Sequence, residues 1–252
     1  MLKIILVGCS GKMGAAITAH IGNSNDLKII AGVDKFRDVN RPYPIYENIT
    51  DITEPGDVII DFSNPDSTDA TLSYAESHGI AAVIGTTGLS KAQEEAIQKA
   101  SKKVPIFSSF NMSLGVNLLL ELSKKAAAVL GADFDIEIIE QHHNQKIDAP
   151  SGTAYMLANA INEVRHNTMR YQYDRHATRA KREPNEIGIH SVRGGNIVGE
   201  HEVIFAGNDE IIKLSHSARS KNVFAVGAVS AARFISRRPA GLYSMKEMIE
   251  EG

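Results

Sequence analysis

Apolar residues gather in short runs over residues 3–7, 28–33, 58–62, 81–84 and 104–107, and these predict strands. Between them, residues 11–21, 67–78 and 90–101 have helical patterning, and the last of these opens with Ser90-x-x-Gln93, a capping-box signal. Strands that alternate with helices predict a parallel sheet covered by helices. A longer stretch over residues 115–130, rich in Leu, Ala and Lys, predicts a helix that carries the chain away from this unit.

The period then changes. Phe134, Ile136 and Ile138 alternate with Asp133, Asp135 and Glu137, the signature of a strand with one wet face. Further strands are predicted at residues 188–192, 199–205 and 210–216, separated by Gly-Gly and Gly-Asn-Asp turns. The expected fold class is α/β: a Rossmann-like doubly wound parallel sheet with a second α+β domain built on a mixed sheet. The first domain is expected over residues 1–112, completed by 221–252 including a helix over 222–235, and the second over 113–220. No internal repeat or low-complexity segment interrupts the pattern.

A length of 252 residues suits one large domain or two modest ones sharing a cleft. The net charge of −3 lacks the basic excess of a nucleic-acid binder. The opening MLKIILVG reads as a first strand rather than a targeting segment, and no apolar run approaches the roughly 20 residues that span a bilayer, so a soluble protein is expected. The lone Cys9 has no partner for a disulfide or a metal site, which fits a reducing compartment and makes the cytoplasm the expected location. Residues 165–182 carry Arg165, Arg170, Arg175, Arg179, Lys181 and Arg182, read as a solvated helix or loop with a substrate-facing role as the alternative.

Gly8-x-x-Gly11-x-x-Gly14 follows the first strand and opens a helix, the context of a dinucleotide fingerprint, although Cys9 and Ser10 replace the usual spacing. Gly11 would let the backbone approach a pyrophosphate, with the first N–H groups of the helix facing the anion; a plain strand-to-helix turn is the other reading. Asp34, twenty residues beyond Gly14, would accept hydrogen bonds from the adenosine ribose, whereas Lys35 could contact a 2′-phosphate. NADH and/or NADPH is therefore the expected cofactor. Gly85-Thr86-Thr87-Gly88 and Ser109-Phe110-Asn111-Met112 lie at strand ends, where a doubly wound sheet binds its ligands.

From Glu140 the chain reads EQHHNQKIDAPSGTA. Two histidines and a lysine in one loop suggest an anionic ligand. The helical spacing of Ala154, Leu157, Ala158, Ile161 and Val164 puts Ser151 or Gly152 near an N-cap, where N–H groups with the Thr153 hydroxyl could hold a carboxylate. A metal site is not expected, because the loop lacks an i, i+4 ligand pair and a cysteine partner.

HHNQKIDAPSGTA, with VIIDFSNPDST from Val58, IGTTGLS from Ile84, NMSLGVN from Asn111 and GGNIVGEHEV from Gly194, resembles the 4-hydroxy-tetrahydrodipicolinate reductase (dihydrodipicolinate reductase) family. The similarity runs from Gly8 to beyond Arg219. It implies that His142 gives or takes a proton, that Lys146 is the catalytic proton donor, that His143 binds substrate, and that Gly152 and Thr153 hold a substrate carboxylate. For the cofactor it implies Gly8, Cys9, Ser10, Gly11, Lys12, Met13, Asp34, Gly85, Thr86, Thr87, Ser109, Phe110, Asn111 and Met112, joined here by Lys35 from the residue reading. The implied reaction is the NAD(P)H-dependent reduction of a small cyclic dicarboxylate, with loss of water, in the diaminopimelate and lysine pathway, and the implied assembly is a homotetramer. Asn144 and Gln145 stand where many relatives carry a more basic loop, and Met112 where others carry Phe. Another two-domain dehydrogenase acting on an amino acid or semialdehyde would share the glycine turn but has no need of the His-His-Lys loop. A non-enzymatic NAD(H) sensor would need an output module, and no helix-turn-helix is evident. A desaturase-like reaction would use much the same site.

Overall fold

Ile4 and Leu6 belong to one buried cluster and Ile5 and Val7 to another, so the first strand has no wet face, as a central parallel strand requires. The computed structural model describes residues 1–36, 40–177 and 179–251. In chain order the first elements are β1 (Leu2–Val7), α1 (Lys12–Gly22), β2 (Leu27–Val33), β3 (Ile45–Tyr46), β4 (Val58–Asp61), α2 (Pro65–His78), β5 (Ala81–Ile84), α3 (Lys91–Ala100) and β6 (Pro105–Ser108). There follow α4 (Leu114–Leu130), β7 (Asp135–His142), α5 (Gly152–Val164), β8 (Arg170–Gln172), β9 (Glu186–Arg193), β10 (Gly199–Ala206) and β11 (Ile211–Ala218), and finally α6 (Asn222–Ile235), β12 (Gly241–Tyr243) and α7 (Met245–Glu250). The chain divides into one unit of Met1–Leu114 with Asn222–Gly252 and a second of Gly115–Lys221.

The first unit holds a parallel seven-stranded sheet in the order β12-β6-β5-β4-β1-β2-β3. The chain winds outward from β1 through β2 and β3, then restarts at β4 on the other side of β1. The carboxyl ends of β1 and β4 are therefore the topological switch point, where such sheets bind ligands. Ile17 and Ile21 of α1 and Ala225, Ala228, Val229 and Ala232 of α6 share a core with Ile4, Leu6, Ile60 and Val83. Leu72 and Ala75 of α2 and Ile97 and Ala100 of α3 share the other with Ile5, Ile59 and Ile84. Each large aliphatic side chain buried in this way contributes about 1.5–3 kcal/mol. The Ser90 capping box of α3 is formed, with the Gln93 side-chain oxygen accepting from the Ser90 N–H. β3, β12 and α7 were not predicted; at two, three and six residues they are too short to show a period.

The second unit holds a mixed five-stranded sheet in the order β11-β10-β7-β9-β8. β7 pairs antiparallel with β10 and parallel with β9, and α5 lies on the crossover that a parallel pair requires. Ile136 and Ile138 of β7, Ile187 and Ile189 of β9, and Val203 and Phe205 of β10 pack with Ala154, Leu157, Ala158 and Ile161 of α5. The two-residue period of β7 then carries Glu140 and His142 onto the same face, so the apolar core ends in ionisable groups.

The basic stretch over residues 165–182 is mostly an exposed loop, as expected, but it is more structured than a free solvated segment; Thr178 lies outside the described residues. Its first part forms β8 on the edge of the sheet. Arg182 reaches Asp135 at 2.6 Å and Glu137 at 3.2 Å, Arg175 bridges Glu137 at 2.8 Å and Glu186 at 2.9 Å, and Arg170 meets Glu183 at 2.7 Å. Acids placed on the wet face of β7 and along β9 hold this segment against the sheet. Pairs of this kind contribute about 0–1 kcal/mol singly, so the network gives register more than stability.

Candidate functional site

At the switch point of the first unit, Gly8 leaves β1 at φ +79°, and a Cβ there would lie 2.6 Å from the Phe62 carbonyl oxygen. Only glycine fits that turn. Gly11 is the N-cap of α1 and makes no side-chain cap, so the first-turn N–H groups, beginning at Lys12 and Met13, are arranged to receive an anion. Asp34 accepts hydrogen bonds from the Ser10 N–H at 3.0 Å and the Phe36 N–H at 3.1 Å, which aims its carboxylate across the turn. Lys12 and Lys35 are exposed. Cys9 is fully buried in the core and burial pushes its thiol pKa up, so any ligand contact from Cys9 is through its backbone.

Met13, Gly85, Thr86, Thr87, Phe110 and Met112, drawn from three turns, line one cleft of about 320 Å³. Phe62, Ser63 and Phe224 complete it, and sequence reasoning did not assign them. Phe62 and Ser63 follow β4 at the switch point, which was the available signal; Phe224 arrives on α6 and gave none. Asp61, buried at the end of β4, accepts hydrogen bonds from Thr71 at 2.8 Å, Thr86 at 3.0 Å, the Ser63 N–H at 3.0 Å and the Ser63 hydroxyl. That satisfied carboxylate fixes two of the cleft's walls. Ser109 donates to the Asn111 carbonyl at 2.9 Å, and the Asn111 side chain accepts from the Ser113 N–H at 2.9 Å, bracing the turn that presents Phe110. The glycine turn, the anion-receptive helix start and an apolar cleft with hydroxyls fit a dinucleotide.

In the second unit, His142 ends β7 and donates from Nδ1 to Glu140 Oε2 at 2.6 Å. Arg193 of β9 closes on the same carboxylate, Nη1 to Oε2 at 2.9 Å and Nη2 to Oε1 at 2.7 Å, and the Ser151 N–H donates to Oε1 at 3.1 Å. The loop from His143 to Pro150 is tethered at both ends. Asn144 N–H donates to the Gly195 carbonyl at 3.2 Å, Gly194 N–H to the His142 carbonyl at 2.9 Å, and Arg193 Nη2 to the Asp148 carbonyl at 2.7 Å. Lys146 pairs with Asp148 at 2.8 Å, and Asn144 and Gln145 point their neutral side chains into solvent. Ser151 caps α5 by accepting from the Ala154 N–H at 3.1 Å, with Gly152 and Thr153 in the helix's first turn. The Ser151 hydroxyl also meets His201 Nε2 at 2.9 Å. His142, His143, Lys146, Gly152 and Thr153 thus lie on one tethered loop and the helix start it leads into.

Glu140, Arg193, Asp148 and His201 are the members that sequence reasoning did not assign a role. Glu140 carried a signal, a charge at a core-facing position of β7; Arg193 and His201 are joined to it only by strand register. Burial alone would push the Glu140 carboxyl up, but hydrogen bonds from Arg193, Ser191 and His142 outweigh it and hold the carboxyl at about 2. Burial likewise dominates at His142 and, although Glu140 opposes it, the imidazole pKa falls below its ordinary value. At His201 burial, with His142 nearby, pushes the pKa down to about 4. Its Nδ1 is buried without a partner among the described residues, so an imidazolium there would bury an unsatisfied N–H. Both histidines are therefore mainly neutral near neutral pH.

A doubly wound unit with a dinucleotide turn, and a second unit carrying imidazole, ammonium and a helix start suited to carboxylate, are the parts of an NAD(P)H-dependent oxidoreductase. Residues 2–112 match the family described as "Dihydrodipicolinate reductase, N-terminus" and residues 115–249 that described as "Dihydrodipicolinate reductase, C-terminus". The chain belongs to the dihydrodipicolinate reductase family. It is 50% identical over 251 residues to the 4-hydroxy-tetrahydrodipicolinate reductase of Clostridium novyi (strain NT), covering 99% of both chains. To the enzyme of that name from Caldanaerobacter subterraneus subsp. tengcongensis it is 47% identical over 252 residues, covering 100% of both. Among solved structures, dipicolinate-bound dihydrodipicolinate reductase from Paenisporosarcina sp. TG-14 superimposes with a TM-score of 0.82 at 26% identity, covering 97% of both chains. Among the described residues no helix is long and apolar enough to cross a membrane.

The depressed His201 pKa has a consequence for stability. Between the ordinary value of 6.5 and about 4 the unfolded chain takes a proton that the folded chain refuses. Stability is therefore full above about 6.5 and falls as pH drops through that window, by up to about 1.4 kcal/mol per pH unit. Urea denaturation between pH 7 and 4 should show this slope, and His201→Gln should reduce it by about one proton; an unchanged slope in the variant would show that His201 is not the group responsible.

Proposed function

We propose that the chain reduces 4-hydroxy-tetrahydrodipicolinate to tetrahydrodipicolinate with loss of water, using NADH or NADPH, as a cytoplasmic step toward diaminopimelate and lysine. Family membership across nearly the whole chain supports the reaction. The observation that carries the site assignment is the tethered loop from His142 to Thr153, which brings a neutral imidazole, an ammonium group and a helix start within twelve residues. The other dehydrogenase reading leaves this loop without a purpose.

A bound nicotinamide supplies the hydride that goes to ring carbon 4. Loss of the hydroxyl from that carbon requires a base to take a proton from the adjacent ring carbon and an acid to convert the departing hydroxide to water. Neutral His142 suits the first task and the Lys146 ammonium the second. After hydride addition the electron pair returns to the adjacent carbon, and the imidazolium of His142 gives its proton back there. The net change consumes one proton, through Lys146, and releases one water. His143 and the first-turn N–H groups at Gly152 and Thr153 hold the carboxylates and orient the ring.

In the first unit Gly8, Cys9, Ser10, Gly11, Lys12 and Met13 would cradle the pyrophosphate through backbone N–H groups. Asp34 would hold the ribose, and the cleft lined by Gly85, Thr86, Thr87, Phe110 and Met112, with Ser109 and Asn111 in the turn that presents Phe110, would take the nicotinamide half. Lys35, exposed beside Asp34, would give NADPH an attractive contact that offsets repulsion of its 2′-phosphate by Asp34. We read the assembly as a homotetramer, which sedimentation velocity would test directly; a monomeric species at working concentration would contradict it.

Steady-state kinetics separates the assigned roles. Lys146→Ala and His142→Ala should lower kcat by about 100- to 10,000-fold with NADH affinity intact, whereas His143→Ala and Thr153→Val should act chiefly on KM. Lys35→Ala should lower activity with NADPH relative to NADH. Near-normal kcat in folded Lys146→Ala and His142→Ala proteins would place the acid and base elsewhere.

A further inference from the structure

Glu140 has no exposed surface and His142 very little, yet both are polar and lie on the face of β7 that continues Ile136 and Ile138. The contact between them, 2.6 Å from Nδ1 to Oε2, is that of a charge-assisted hydrogen bond. An ionised carboxylate only accepts, so the contact requires the proton to be on Nδ1. In a neutral imidazole this leaves the lone pair on Nε2. That nitrogen lies beside Gly199 of β10, where a Cβ would approach it to 3.1 Å; the absence of a side chain keeps that edge of the ring uncovered. Arg193 meanwhile grips both oxygens of Glu140 with two nitrogens, at 2.9 and 2.7 Å, the geometry that most strongly favours the ionised acid.

We propose that Glu140 and Arg193 act as a positioning pair for His142: Glu140 sets the plane and tautomer of the imidazole so that Nε2 is the proton-accepting atom, and Arg193 keeps Glu140 ionised and aimed. The inference rests on the acid–base role given to His142 above. Neither Glu140 nor Arg193 is asked to touch substrate. The other groups around His142 are Lys146 in the following loop, paired with Asp148, and His201 of β10, whose ring meets that of His142 edge-on with centroids 5.2 Å apart. His216 of β11 faces His201 across the strand pair. Of the charges within reach, Glu140 favours an imidazolium at His142, whereas Arg193 and Lys146 oppose it.

A purely structural role and a positioning role predict different responses to substitution. If the pair only filled the end of the core, Glu140→Gln and Arg193→Gln would loosen it alike. As a positioning pair they carry opposite charges toward His142. The titration midpoint of His142, followed by NMR in protein labelled at the histidine Cε1 carbon and assigned with His142→Gln, should fall in Glu140→Gln and rise in Arg193→Gln, each by about one pH unit. Arg193→Lys, which keeps the charge, should stay near wild type. Glu140→Gln should also lower kcat by about 100-fold with little change in KM. Shifts of the same sign, or none, would overturn the proposal. Should either Gln variant fail to fold, the wild-type protein still decides it: long-range proton–nitrogen correlation should show Nδ1 protonated and Nε2 bare in neutral His142, and the reverse tautomer would overturn it. Near-normal kcat in His142→Gln would instead remove the acid–base role while the tautomer measurement still reads the pair; a slow His142→Gln with same-sign shifts would remove the pair and leave the role.

Discussion

A carboxylate sealed inside a protein has to be given partners, and in the second unit much of the polar architecture follows from that requirement at Glu140. Removing one member of a buried ion pair costs about 3–5 kcal/mol. Arg193, the Ser151 N–H and His142 Nδ1 share the two oxygens, and each partner belongs to a different segment. Arg193 joins β9 to β7 and, through the Asp148 carbonyl, to the loop bearing Lys146. Ser151 joins the start of α5 to the same carboxylate and to His201 on β10. One buried negative charge thus assembles the imidazole, the ammonium-bearing loop and the helix start, and the neighbouring burial keeps His142 and His201 neutral.

The first unit solves a comparable problem with different means. Its central strands are apolar on both faces, so polar function is pushed to their carboxyl ends. There Asp61 plays a part like that of Glu140, but with hydroxyl and amide donors instead of a guanidinium, tying the turn after β4 to the one after β5. Gly8 is the steric counterpart, since any side chain would strike the Phe62 carbonyl and separate the first turn from the fourth strand. A shaped, hydroxyl-lined cleft in one unit and a charge-organised loop in the other match a division between cofactor binding and proton handling.

Much of the fold was legible because it rests on periodicity. The runs around β1, β2, β4, β5 and β6, the capping box of α3, the alternating β7 and the spacing of α5 each announce themselves within a few residues. β3, β8 and β12 did not, since two or three residues carry no period and these edge strands exist only because a sheet is present to pair with. The basic stretch around Arg175 is the exposed loop its composition suggests, but its ion pairs were not legible because its acids, Asp135, Glu137 and Glu186, are distant in sequence or hidden within strand patterns. At the candidate site, the His142 to Thr153 loop is visible as a cluster, whereas Arg193 and His201 reach it by register alone: His142 pairs with Arg193 and Glu140 with His201 across neighbouring strands. Local chemistry is readable from one segment; partners supplied by β-pairing are not.

The central claim is that this chain delivers a hydride to carbon 4 of a cyclic dicarboxylate while its own side chains move the protons. Incubating the purified protein with freshly generated 4-hydroxy-tetrahydrodipicolinate and nicotinamide cofactor deuterated at the transferring position, in ordinary water, tests it most directly. The account predicts one deuterium per product molecule, at carbon 4, and none at the adjacent carbon, whose proton comes from His142. Cofactor oxidation without deuterium at carbon 4, or product formed without cofactor oxidation, would contradict it.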